Sequence, residues 1–267
     1  MRKILAAITV VAAGVLLNVV GAAAASTTVV VTPANFTTVF TSQTEIATAS
    51  HQFVTGPATP PLGAGSLELT TVDNPGHLQY LERAQLGTLL SAITQMAYST
   101  YRHSASTGGA QVEAAINLEI FNNISGANTG YTTMVFEPYL NPSLGTVMSD
   151  SWQSWDAYSG GAALWHSTHT VGSIPAGQAA PWSAFLAQAP NATVLGYGPN
   201  QGSFNPGIIS NVDKLIFGTA TDTTTYDFEP TPSTAVPESP MALMVVLVAP
   251  VAGIGLITLR RRRQGQA

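Results

Sequence analysis

The chain has 267 residues, 45% of them hydrophobic and only 9% charged, with a formal net charge of −5 and no cysteine. Without cysteine there are no disulfides, thiolate metal sites or cysteine nucleophiles. Six of the nine basic residues lie at the two ends (Arg2, Lys3, Arg260, Arg261, Arg262, Arg263). The remainder keeps Arg83, Arg102 and Lys214 against thirteen acidic residues from Glu45 to Glu229, a net charge of −10 that argues against nucleic acid as a partner.

In chain order, Arg2 and Lys3 open a basic n-region, residues 4–20 form an apolar stretch, and Gly21 to Ala25 are small. This is the layout of a cleaved signal peptide over residues 1–25 rather than of a first spanning helix. One exported domain is expected over residues 26–230. Residues 26–44 are rich in Thr and Val and suit an opening strand or a partly ordered lead-in. Residues 55–66, with three prolines and three glycines, read as a loop. Alternation begins at 66–70 and recurs at 113–121, where Ala114, Ile116, Leu118 and Ile120 share one face and Glu113, Asn117 and Glu119 the other. Strands are also expected at 93–102, 131–137 (Met134 and Phe136 inward), 152–158, 163–169, 193–197, 213–217 and 224–228. Only 181–188 reads as a helix, with Pro181 in its first turn and Trp182, Phe185 and Leu186 on one side. Many short strands separated by Gly, Asn and Ser turns predict an all-β sandwich.

The densest aromatic segment runs Trp152-Gln153-Ser154-Trp155-Asp156, followed by Trp165. Flat rings beside a carboxylate or amide suit a saccharide, with Asp156 or Asn200 reaching its hydroxyls. Trp152 and Trp155 are three apart, so a straight strand turns them to opposite sides. The competing assignment is core, the commoner fate of large aromatics. Tyr98, Tyr101, Arg102 and His103 form a second group, in which Arg102 is expected to pair with a carboxylate as a structural anchor. The polar loop 200–207 lacks a phosphate-loop ending. Glu119 and Glu137 are the only pair suggesting a glycan-active hydrolase. The spacing of His166 and His169 is too short for a shared strand face, and no Gly-x-Ser-x-Gly elbow occurs. Asp213 and Asp227 are strand-end carboxylates of the kind that hold calcium, but no EF-hand-type loop is present. No cofactor or metal is expected.

Residues 231–240 form a Pro/Thr linker ending in Pro237-Glu238-Ser239-Pro240. Residues 241–259 are an uncharged apolar run, and Arg260, Arg261, Arg262 and Arg263 open a basic tail over 260–267. Nineteen residues span about 28 Å as a helix, close to the ~30 Å of bilayer hydrocarbon, and the arginines hold the C-terminus on the cytoplasmic side. Motif, helix and arginine cluster together resemble the PEP-CTERM family of surface proteins, with the second proline one place late. The resemblance implies export, anchoring through the C-terminal helix and recognition by a sorting protease of the exosortase type. It also implies an envelope or extracellular destination, often linked to exopolysaccharide. The stretches 53–57, 60–63, 98–102, 212–215 and 225–229 resemble secreted jelly-roll modules, some of which bind carbohydrate. A non-catalytic, jelly-roll-like surface or matrix protein that binds polysaccharide is the leading expectation. A structural matrix protein without a ligand and a glycan hydrolase are the alternatives.

Overall fold

The computed structural model describes residues 25–46, 48–121 and 130–231. The leader up to residue 24, the sorting motif, the apolar run and the arginine cluster lie outside the described residues. In chain order the first elements are β1 (Ala25–Val31), α1 (Phe36–Val39), β2 (Ser42–Ile46), β3 (Ser50–Thr55), β4 (Gly65–Thr71), β5 (His77–Leu81) and β6 (Ile93–Arg102). Next come β7 (Ala115–Phe121), β8 (Tyr131–Phe136), β9 (Trp152–Asp156), β10 (Leu164–Ser167) and β11 (Ala180–Pro181). The last are α2 (Trp182–Gln188), β12 (Thr193–Gln201), β13 (Ile208–Thr219) and β14 (Asp222–Phe228).

These strands make two seven-stranded sheets, a predominantly β sandwich. Sheet B runs β11-β10-β8-β7-β12-β5-β2, antiparallel throughout. Sheet A is built on β13. Along one side of it lies β6, which in turn pairs with β9. The other side is shared: β4 takes Ile208 to Val212, and β14 takes Leu215 to Gly218. Strand β3 extends the sheet beyond β4, and β1 extends it beyond β14 in parallel register. Sheet A therefore forks. At the fork Lys214 adopts φ of +52° and is bulged out of the ladder with β6, which lets one strand serve two partners at different angles.

Strand β7 shows why the sequence forms this sandwich. Ile116, Leu118 and Ile120 are fully buried, as are Met134 and Phe136 on β8. Opposite them pack Leu67, Leu69, Met96, Tyr98, Val212, Leu215 and Phe217 of sheet A. Each such side chain removed from water contributes about 1.5–3 kcal/mol, and with no cross-link available this core holds the fold. Helix α2 seals one end with buried Trp182 and Phe185, and Pro181 stands just before its first residue. Three results differ from the sequence reading. Strands β3 and β5 are additional to the reading, and so is the four-residue helix α1, which lies where a strand or lead-in is expected and not at 181–188. The strand expected at 213–217 is the second half of a twelve-residue strand. Glu113 does not share the polar face of Asn117 and Glu119. It precedes β7 and turns into the interior, where the Thr100 hydroxyl donates to it at 2.7 Å.

Candidate functional site

The proposed aromatic group does not form one surface. Trp155 and Trp165 are core: the Trp155 indole donates to Thr100 Oγ1 at 2.7 Å, and that of Trp165 donates to the Ala157 carbonyl at 2.8 Å. The Trp165 ring packs against Phe136 and Trp182. Neither ring is free to stack on a sugar, because a sandwich without disulfides uses its largest side chains as anchors. Trp152 does face the other way, opposite Tyr101 on the outer face of sheet A, half-buried and tied to the Pro57 carbonyl. Asp156 is spent on its own turn, accepting the amides of Tyr158 and Ser159. Asn200 lies across the sandwich on sheet B, beside His77 at 3.0 Å. Strand alternation thus separates Trp152 from Asn200 by the whole thickness of the core.

Arg102 is a hydrogen-bond anchor, as expected, but not through a carboxylate. Its guanidinium donates to the carbonyls of Val112, His103, Gly108 and Gly109 and to Ser149 Oγ, closing the loop after β6.

The outer face of sheet B holds a polar cluster that no single motif announces. Gln79 of β5 accepts from the Asn117 amide at 2.5 Å and donates to Glu119 at 3.3 Å. The Tyr131 hydroxyl of β8 donates to the same Glu119 oxygen at 2.9 Å. Arg83, just past β5, reaches the other Glu119 oxygen at 3.4 Å and donates to the Leu195 carbonyl at 2.5 Å. Four strands, β5, β12, β7 and β8, lie side by side here, so alternation alone brings these side chains together. Asn117 is only 4% exposed, and its Oδ1 has no partner. Phe121 and Tyr131 are directly opposite each other, 41% and 36% exposed, at the border of the cluster. Partial burial raises the Tyr131 hydroxyl above its ordinary pKa. Sequence reasoning missed Phe121, Tyr131, Gln79 and Arg83. The available signal was an aromatic on the polar side of an alternating strand.

Glu137 lies farther along the same face. It accepts from Tyr139 at 3.0 Å and meets His166 at 3.0 Å. Glu119 pairs in register with Thr133, four residues before Glu137, so the two backbones are about 13 Å apart.

The calcium candidates sit at the fork of sheet A. Asp213 accepts the amides of Leu62 and Phe228, while Glu229 accepts those of Ala64 and Gly65. Asp227 Oδ1 is buried without a partner. Desolvation by burial pushes Asp213 up to about 7, with Asp227 adding repulsion. Asp227 rises to about 6, through burial and then its neighbour Glu229. Gly63 (φ +58°) closes against this group: a Cβ there would lie 1.7 Å from Glu229 Oε1. Asp213 and Glu229 are thus committed to backbone amides of the loop before β4 and of β14, whereas Asp227 is not. Among the described residues, no set of three or more His, Asp or Glu side chains is arranged to hold a metal ion.

No protein family, curated protein or solved structure matches the chain.

Proposed function

We propose that this is an exported, non-catalytic surface or matrix protein of the PEP-CTERM kind, whose jelly-roll-like sandwich binds polysaccharide on the outer face of sheet B. The cell address rests on the leader and on the tail, with the C-terminal helix as membrane partner and an exosortase-type protease as its reader. The jelly-roll reading is supported by strand order. The central strands run β4-β13-β6-β9 in one sheet and β5-β12-β7-β8 in the other, so the chain crosses repeatedly between sheets.

The observation that carries the binding reading is the pair of exposed rings, Phe121 and Tyr131, beside side-chain amides, a carboxylate and a guanidinium drawn from neighbouring strands. Rings stack on the apolar face of a sugar, while Gln79, Asn117 and Glu119 answer its hydroxyls. A non-catalytic role is favoured because Glu119 and Glu137 are engaged by separate partners, Gln79, Arg83 and Tyr131 for the first and Tyr139 and His166 for the second, with their backbones about 13 Å apart along the ladder. The test is retention of the full-length chain on a neutral glycan panel. Tyr131→Ala should weaken retention about ten-fold, the scale of one aromatic contact, and Trp152→Ala should leave it unchanged. Retention by no glycan would favour the structural matrix alternative, and loss with Trp152→Ala alone would move the site to sheet A.

A further inference from the structure

The edges of the two sheets are not protected alike. Strand β2 carries Glu45, β9 carries Asp156, and β11 is two residues long and contains Pro181. Strand β3 has six residues, one of them His51, and Pro57 follows close behind it. Charge, proline and shortness are the usual devices that keep an open edge from pairing with another chain. Strand β1 has none of them. Its seven residues, Ala-Ser-Thr-Thr-Val-Val-Val, are uncharged and mostly β-branched, and among the described residues it pairs only with β14.

Beside this edge the sandwich is open. A groove of about 530 Å³ is lined by Thr27, Val29, Val39, Arg83, Thr224 and Tyr226, among others. Thr27 and Val29 are the alternate residues of β1 that turn inward, in register with Thr224 and Tyr226 of β14. At this end Thr27 is exposed and Val29 only half-buried, whereas Val31 farther along is fully buried. One more strand laid along β1 would place its own inward residues over this mouth. Arg83 is the only charged residue in the lining, on a domain with three basic and thirteen acidic side chains. Arg83 is already paired with Glu119, so the groove carries no free charge and suits an uncharged strand such as β1 itself.

We propose that β1 is a self-association edge: β1 of a second copy of this chain adds to it antiparallel about a two-fold axis, joining two copies of sheet A and covering the groove. The self-pairing is isologous, since the same uncharged strand serves both sides and its alternation presents Thr27, Val29 and Val31 to the same face in each copy.

The chain has no cysteine, so a single introduced thiol reports its own neighbour. Ser26→Cys, Thr28→Cys and Val30→Cys, on the side of β1 away from the groove, are made in the full-length chain and mildly oxidised in membranes. Controls are Gln52→Cys on β3 and Ser154→Cys on β9. The expected result is a disulfide-linked product of twice the chain mass from at least one β1 position and from neither control. Adding Thr28→Lys to the Ser26→Cys or Val30→Cys variant that cross-links should reduce that product at least ten-fold, by setting two like charges across the axis. The proposal is overturned if β1 positions cross-link no more than the controls, if Thr28→Lys has no effect, or if the product has another mass and so contains a different partner.

Discussion

The fork of sheet A and the outer face of sheet B both collect carboxylates on β-strands, and they employ them in opposite ways. At the fork, Asp213 and Glu229 accept four backbone amides, from Leu62, Phe228, Ala64 and Gly65. On sheet B, Glu119 is held by side chains, from Gln79, Arg83 and Tyr131. A carboxylate saturated by main-chain N–H groups is committed to the fold, because removing it strands buried donors. One held by side chains can exchange those partners for a ligand's hydroxyls with little change in the backbone. The same residue type is thus structural in one sheet and available in the other, and partner chemistry decides which.

The sharpest way to break this contrast is Asp213→Ala. One buried amide (Phe228) and one half-buried amide (Leu62) would be orphaned, and the expected cost is about 3 kcal/mol in denaturant unfolding, at roughly 1–3 kcal/mol per stranded group. A loss below about 1 kcal/mol would mean that the fork is not held by this carboxylate. The second test is pH. Asp213, Glu82 and Glu113 are each pushed up to about 7 by burial, above ordinary values of 3.8 for Asp and 4.5 for Glu. Between about pH 4 and 7 the folded state therefore keeps protons that the unfolded chain has released, so stability falls as pH rises through that window. One such group contributes roughly 3 kcal/mol over the two units from pH 5 to 7, so even a single one of the three should put the melting temperature at pH 5 above that at pH 8 by roughly 6–12 °C. A profile that rises with pH instead would remove the buried-carboxyl account.

Two smaller effects sharpen the comparison from either side. Asp227→Asn replaces the like-charged neighbour of Glu229 by an amide that can donate to it. It should add about 1 kcal/mol at pH 8 and nothing at pH 5, and thermal melts at the two pH values read the difference. Glu119 is only 8% exposed, but Gln keeps an acceptor oxygen and strands no backbone donor, so Glu119→Gln on sheet B should cost about 1 kcal/mol. Calorimetry showing a loss as large as that of Asp213→Ala would erase the distinction between the two regions.

The parts of the fold legible in the sequence were those in which one strand carries its own evidence. Alternation in β7 and β8 marks Ile116, Leu118, Ile120, Met134 and Phe136 as inward, and they are fully buried. Strands β3 and β5 escaped notice because His51, Gln52, His77 and Gln79 interrupt the apolar pattern with residues that serve partners far along the chain. The candidate site was less legible still. Trp155 and Trp165 were conspicuous by type and proved to be core, whereas the cluster around Glu119 is assembled from residues up to 52 positions apart, Gln79 to Tyr131. Asp213 could be picked out as a carboxylate, but not as the acceptor for Leu62, 151 residues away.

The parallel pairing of β1 with β14 also has a mechanical meaning. Ala25 lies beside Asp222 and Val31 beside Phe228, so the described chain enters at one end of this edge and leaves at the other. Tension applied beyond Pro230 runs lengthwise into β14, which is clamped on both sides, by β1 and by β13. Its ladder bonds are then loaded together in shear, instead of being peeled open one at a time. Where the pull arrives, the Glu229 amide donates to the Val31 carbonyl at 2.8 Å and the Phe228 amide to Asp213. The last stretch of chain before Pro230 is thus fastened to both of its neighbouring strands.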